Sequence, residues 1–216
     1  MTFPHWPLFD LVVRTPRLEL RTPSDPELAE LADLAAAGIH DPAEMPFSQP
    51  WTDVEPPALQ RTALQHWWRG RAEWRPDRWD YTGAVFVDGH PVGVQNAMAQ
   101  NFATLRTVKT GSWLGRPFQG QGLGKEMRAA MLHLVFDGLG AQVAYSGAFH
   151  DNTRSRQVSQ SFGYEENGVT IELRRDRPDA MINLRLDRVH WEPQRRADIT
   201  IEGLEACLPF FCGPSW

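Results

Sequence analysis

The chain has 216 residues, 42% of them hydrophobic, and a formal net charge of -5. That composition supports a sizeable core rather than disorder, and the acidic balance argues against a broad nucleic-acid surface, which needs a basic excess. No apolar run approaches the ~20 residues of a membrane span, and Met1-Thr2-Phe3-Pro4-His5-Trp6 has no secretory pattern, so a cytoplasmic protein without membrane or nucleic-acid partners is expected.

In chain order, Leu11-Val12-Val13-Arg14 and Leu18-Glu19-Leu20-Arg21 read as a bent strand or a strand pair, broken at Thr15-Pro16. Thr22-Pro23-Ser24-Asp25-Pro26 supplies a helix cap and an early proline. Leu28, Leu31, Ala32 and Ala35 keep helical spacing up to Gly38. A proline-rich loop follows, and a second helix is expected from about Pro57 to Trp74. The crowding of Trp67, Trp68, Trp74 and Trp79 there fits helix packing better than an aromatic substrate wall. Residues 81–87 and 91–95 flank Asp88-Gly89, which reads as a hairpin turn. Residues 108–115 form another strand, then a glycine loop opens an amphipathic helix whose apolar face is Leu123, Met127, Ala130, Met131, Leu134 and Val135. A strand over 141–149, a short helix over 152–162 and a hairpin of residues 169–173 and 180–186 complete the pattern. Residues 1–193 thus form the main domain, with 194–216 an appended strand and apolar tail, Pro209-Phe210-Phe211, that docks on its own domain or on a second copy in a homo-oligomer. The two cysteines, Cys207 and Cys212, make a poor zinc site and are expected as reduced thiols; no metal is expected.

The chemical centre is Gln119-Gly120-Gln121-Gly122-Leu123-Gly124-Lys125, placed after a strand and at the start of a helix. The first amides of a helix have no partner inside it and face outward at its positive end. Glycines let an anion approach them closely, and a phosphate or pyrophosphate is the natural guest. Arg116, Lys125 and Arg128 lie beside the loop, and Arg154 and Arg156 start the next helix. A P-loop does not match, because Gln119 stands where its first glycine belongs and Glu126 follows Lys125. A dinucleotide loop fits poorly, because the glycines are evenly spaced and a hairpin precedes them. A third pattern, Gln/Arg-x-x-Gly-x-Gly/Ala, is matched by Gln119, Gly122 and Gly124.

That third pattern is the pyrophosphate loop of the GNAT acyltransferases, and the resemblance extends over most of the chain. Arg14-Thr15-Pro16-Arg17-Leu18-Glu19-Leu20-Arg21 resembles the first strand of the ribosomal-protein-alanine acetyltransferase branch. Gly111-Ser112-Trp113-Leu114-Gly115 resembles its fourth strand, and Asn152-Thr153-Arg154-Ser155 with Val158 and Gly163-Tyr164 its Asn-x-x-Ser segment. His5-Trp6-Pro7-Leu8-Phe9-Asp10, His40-Asp41-Pro42, Met45-Pro46-Phe47-Ser48 and the tail are similar to a mycobacterial GNAT succinyltransferase. The resemblance implies an α/β (α+β) fold with a mixed, mostly antiparallel sheet of six to seven strands flanked by helices. It also implies an acyl-CoA cosubstrate, succinyl-CoA or acetyl-CoA, and an amine acceptor, small molecule or protein. The fourth and fifth strands would splay around pantetheine. The backbone at Trp113 and Leu114 would pair with it and polarise the thioester. The amides of Gln119, Gly120, Gln121, Gly122, Leu123, Gly124 and Lys125 would take the pyrophosphate, and Asn152 the pantetheine arm.

The implied chemistry is direct attack of a neutral amine on the thioester, so a base must take a proton. The tyrosine that many relatives place seven residues after the Asn is Ser159 here. The branch it resembles implies Ser155 as the thiolate's acid. Asp41, His150 and Asp151 are base candidates, and Gln95, Ser112 and nearby loop arginines are candidate partners for a succinyl carboxylate. A coenzyme-binding module without catalysis, such as a sensor, is the alternative.

Overall fold

The computed structural model describes residues 3–214. Strands β1 (Val12–Arg14) and β2 (Glu19–Arg21) pair antiparallel around the Thr15–Leu18 turn. Helix α1 (Asp25–Ala36) begins at Ser24, whose side chain and backbone exchange hydrogen bonds with Glu27 in a capping box. Helix α2 (Ala58–Ala72) leads into the long hairpin β3 (Arg78–Val87) and β4 (His90–Gln100). This hairpin is longer than its apolar alternation suggested, because Trp79, Tyr81, Ala97 and Ala99 extend the buried face.

A short helix, α3 (Phe102–Leu105), precedes β5 (Thr107–Leu114). Helix α4 (Leu123–Leu132) runs on as a π-helical turn to Gly138. Strand β6 (Val143–Phe149), α5 (Thr153–Gln160), β7 (Glu165–Arg174), β8 (Arg177–Asp187), α6 (Arg188–Trp191), β9 (Thr200–Glu202) and α7 (Leu204–Cys212) complete the chain. The strands form one sheet in the order β7-β8-β6-β5-β4-β3-β2-β1-β9. Nine strands replace the expected six to seven. The Thr15-Pro16 break divides the first strand in two, and residues 200–202 add an edge by pairing with β1.

Helices α1 and α2 cover one face, where Leu28, Leu31, Ala32, Ala63 and Trp67 pack on Ala84, Phe86 and Val94. Helix α4 and the C-terminal segment cover the other. There Leu123, Met127, Ala130 and Met131 join Leu20, Tyr81, Val85, Val108 and Ala144. The apolar tail docks on its own chain: Phe211 is fully buried against Trp74, Trp79 and Tyr81. The Trp74 and Trp79 indoles donate to the carbonyls of Phe210 and Phe211 at 2.9 and 3.0 Å. Three of the four clustered tryptophans, Trp67, Trp74 and Trp79, are therefore core, while Trp68 lies on the surface.

Candidate active site

The sheet opens along a single seam. β5 and β6 pair in parallel over only three residues, Thr107–Lys109 with Val143–Tyr145. Beyond that point β5 stays paired to β4 as far as Leu114, and β6 stays paired to β8 as far as Phe149. The two strands therefore diverge into a cleft from Thr110 onward, and the Thr110 hydroxyl donates to the Tyr145 carbonyl at 3.3 Å where the ladder ends. Buried strand edges normally satisfy their amides and carbonyls. An unpaired stretch in the middle of a sheet offers them instead to an extended ligand.

The glycine loop stands at the head of the cleft. Gly120 and Gly122 have φ of 74° and 80°, a region that costs other residues about 1–2 kcal/mol. Gly122 caps α4, and the amides of Lys125 and Glu126 both return to its carbonyl. Among the described residues, the five successive amides from Gly120 to Gly124 donate to no acceptor. The Gln119 side chain acts differently: its amide nitrogen donates to the carbonyls of Ile39 and Leu114, each at 2.8 Å, tying the loop to the end of β5. Gln121 donates to Pro117 O at 2.7 Å. The Arg116 and Lys125 side chains are exposed beside the loop.

Arg128 departs from its expected place beside that anion site. It turns inward, is only 2% exposed, and donates to Gln95 Oε1 and Ser159 Oγ. The sequence carried a signal for this. Gly124, Arg128, Met131 and Val135 share one helical stripe, so the arginine lies on a buried face.

Asn152 caps α5, accepting from the Ser155 amide at 3.2 Å. The Ser155 hydroxyl is half-buried and makes no hydrogen bond among the described residues. Ser159 is fully buried one turn further on. These three residues lie on the β6 side of the cleft, while Trp113, Leu114 and the glycine loop lie on the β5 side.

The face carrying α1 and α2 closes the cleft with the loop from His40 to Asp53. Phe47, Trp51 and Trp113 form a run of tilted rings at centroid distances of 5.6 and 6.0 Å. His40 joins its end, edge-on to Phe47. Trp51 and Trp113 pack on the core cluster that holds Trp67 of α2, and only folding brings the loop and β5 rings together. The loop is pinned across the cleft by the β7–β8 turn. Arg174 donates to Met45 O at 2.7 Å, and Arg175 to Asp53 Oδ2 at 2.7 Å and to Pro42 O at 2.9 Å. The Arg175 guanidinium holds the Asp53 carboxyl below its usual range.

The three base candidates separate. Asp41 accepts from the Ala43 amide at 2.9 Å, an ordinary turn contact. Asp151 is 2.9 Å from Arg174. His150 is exposed at the end of β6, with Nδ1 3.2 Å from Asp179 Oδ1. Asp179 is in turn held low by a hydrogen bond from Arg174 and by the Ala180 amide. That leaves His150 backed by a carboxylate and its other ring nitrogen without a protein partner among the described residues.

A divided parallel ladder, with a glycine-capped helix at its head, defines an acyl-group transferase architecture. Residues 17–165 match the family model described as acetyltransferase (GNAT) domain, and the chain belongs to that family. Solved structures agree on the fold. Mycobacterium smegmatis RimJ in complex with a coenzyme A disulfide superposes with a TM-score of 0.65 at 15% identity, covering 94% of this chain and 95% of that one. The ribosomal-protein alpha-N-acetyltransferase RimL in complex with coenzyme A gives 0.63 at 15%, covering 82% and 97%. A chimera of the Vibrio cholerae spermidine N-acetyltransferase SpeG gives 0.62 at 15%, covering 81% and 98%. No metal-binding group of His, Cys, Asp and Glu side chains occurs among the described residues, nor a helix long and apolar enough to cross a membrane.

Proposed function

We propose that the protein transfers an acyl group, succinyl or acetyl, from a coenzyme A thioester to a primary amine. The observation that carries this reading is the run of five unpartnered amides, Gly120 to Gly124, at the head of the β5–β6 cleft. In this reading those five amides hold the pyrophosphate, the Lys125 amide closes the helix cap on the Gly122 carbonyl, and Gln119 shapes the loop from behind. The pantetheine arm lies between the diverging strands, against the Trp113–Leu114 backbone and Asn152. A donor amide there polarises the thioester carbonyl and stabilises the oxyanion.

The amine nitrogen attacks the carbonyl carbon and a tetrahedral intermediate forms. The C–S bond then breaks, and the electron pair leaves on sulfur. His150 takes the amine proton, with Asp179 orienting the ring. The Ser155 hydroxyl donates a proton to the departing thiolate, whose ordinary pKa is about 8.5. The aromatic wall of Phe47, Trp51 and Trp113 lines the acceptor side. Residues 1–193 carry this machinery, and the described part of the 194–216 extension completes the sheet edge and core. Similar folds named for a ribosomal-protein α-amine and for spermidine support a protein N-terminus or a polyamine as the acceptor class.

Incubating the protein with acetyl-CoA or succinyl-CoA and a panel of amines, and following thiol release, tests the proposal. Amine-dependent release supports it. Tight coenzyme A binding with no turnover would instead make the protein a coenzyme-binding sensor, and no binding would end the assignment.

A further inference from the structure

Arg128 is a buried cation without a counter-ion. Its side chain leaves α4 on the sheet-facing side and is 2% exposed. No carboxylate lies within ion-pair distance of it among the described residues. Its nearest partners are neutral: Gln95 Oε1 at 3.2 Å, Ser159 Oγ at 3.3 Å and the face of Tyr164, whose centroid is 5.8 Å away. Only two of its five N–H groups therefore find an acceptor. A buried charge normally carries a paired ion, because burying it alone costs several kcal/mol.

Its position shows where the missing anion belongs. Gln95 is on β4, paired with Ser112 in the part of β5 that has left β6. Gln95 Nε2 donates to Gly111 O at 2.9 Å, which fixes the amide so that its oxygen faces Arg128. Ser159 is on α5, which follows β6 on the opposite side of the opening. The guanidinium thus bridges the two arms of the sheet, from Gln95 opposite Ser112, three residues beyond the last rung of the parallel ladder at Lys109, to Ser159. Thr110 and Ser112 alternate onto the same sheet face as Gln95, so polar groups surround the cation. The pyrophosphate loop, Gly120–Gly124, is at the N-terminus of the same helix, about one turn before Arg128, and its exposed amides form a separate anion site.

We propose that Arg128 receives the terminal carboxylate of a dicarboxylic acyl thioester, and so sets the donor specificity of the enzyme. Gln95 and Ser159 orient its guanidinium, and the remaining N–H groups form charge-assisted bonds to the carboxylate. A neutral acyl chain leaves the cation uncompensated. This inference rests on the acyl-transfer reading above and names the donor class for that site.

Calorimetric titration of the intact protein with coenzyme A, butyryl-CoA and succinyl-CoA tests it without an acceptor. Butyryl and succinyl share a four-carbon chain and differ at its end. The wild type is expected to bind succinyl-CoA about ten- to a hundredfold more tightly than butyryl-CoA. Arg128→Met is expected to erase that ratio while leaving the affinity for free coenzyme A unchanged, and Arg128→Lys to keep part of it. Equal wild-type affinities for the two thioesters would overturn the proposal. So would an Arg128→Met protein that weakens all three ligands alike, since that marks a structural strut. If Arg128→Met does not fold, the wild-type ratio and Arg128→Lys decide the matter. Failure of the wild type to bind free coenzyme A is a different result and would overturn the acyl-transfer reading itself.

Discussion

Arg17 and Glu126, 109 residues apart in sequence, meet at 2.5 Å. The Glu126 carboxylate is nearly buried and accepts from the Arg17 side chain, the Arg17 amide and the Thr15 hydroxyl. The same guanidinium also donates to Gln121 O at 3.0 Å. One ion pair thus joins the β1–β2 turn, the first turn of α4 and the glycine loop. It gives the Arg14–Arg21 segment a physical role: it braces the loop from outside.

Glu126→Gln is therefore expected to cost about 1–2 kcal/mol of stability, because a charge-assisted network becomes a neutral one around a half-exposed arginine. Burial pushes the Glu126 carboxyl up, but the Thr15 and Arg17 hydrogen bonds outweigh it and leave the group below its ordinary value. A lowered folded value stabilises the protein above the unfolded carboxylate value of about 4.3. That contribution disappears as pH falls through the folded value. Urea unfolding of both proteins should show a gap that is full at neutral pH and closes on acidification. A gap independent of pH would contradict the assignment of the ion pair.

The two left-handed glycines should respond differently to alanine. Both pay the φ penalty of about 1–2 kcal/mol. A Cβ at Gly120 meets nothing within 4 Å, whereas one at Gly122 meets the Arg17 Nη2 at 3.3 Å. Gly122→Ala thus strains the helix cap and disturbs the brace together. Calorimetry with coenzyme A should show at least about a tenfold loss for Gly122→Ala and a smaller one for Gly120→Ala. The reverse order would mean that the loop binds by another geometry.

The regular elements and the glycine loop were legible because they depend on local spacing. Ser24 with Glu27, the Asp88-Gly89 turn and the Gly122 cap each declare themselves within a few residues. What escaped the sequence depends on long-range contacts. Arg128 was read as a basic neighbour of the anion site, since it stands four residues from Gly124 in sequence. Its partners Gln95 and Ser159 lie 33 and 31 residues away, and neither is basic or acidic. The clustered tryptophans were expected as packing residues, and Trp67, Trp74 and Trp79 do fill the core, but the rings beside the cleft were not anticipated. The actual rings come from a loop and from β5, joined only by folding. The strand at Thr200–Glu202 was foreseen, but the full width of nine strands needed its pairing with β1 to be seen.

Cys207 gives a clean test of how firmly the C-terminal helix is packed. Its thiol is fully buried in the core, and burial pushes its pKa up to about 12. Thiolate, not thiol, reacts with disulfide reagents. An aromatic disulfide reagent at mildly alkaline pH should therefore titrate Cys212, which is half-buried, and reach Cys207 only on unfolding. Phe211→Ala, which removes a fully buried ring and should cost about 3–5 kcal/mol, is expected to speed Cys207 labelling. Rapid labelling of both thiols in the folded wild type would show that α7 detaches readily.

His150 is the last link between geometry and chemistry. If it accepts the amine proton, replacing the ring removes the base and leaves the coenzyme site intact. His150→Gln keeps a polar side chain but cannot take the proton at working pH. The expected loss in kcat/KM is about 10²–10⁴. Asp179→Asn should produce a smaller loss, because it removes only the group 3.2 Å from Nδ1 that orients the ring. Affinity for free coenzyme A should be unchanged in both, since His150 and Asp179 lie away from the Gly120–Gly124 amides. A His150→Gln enzyme that keeps the wild-type kcat/KM would move the base to a water chain or to the substrate itself.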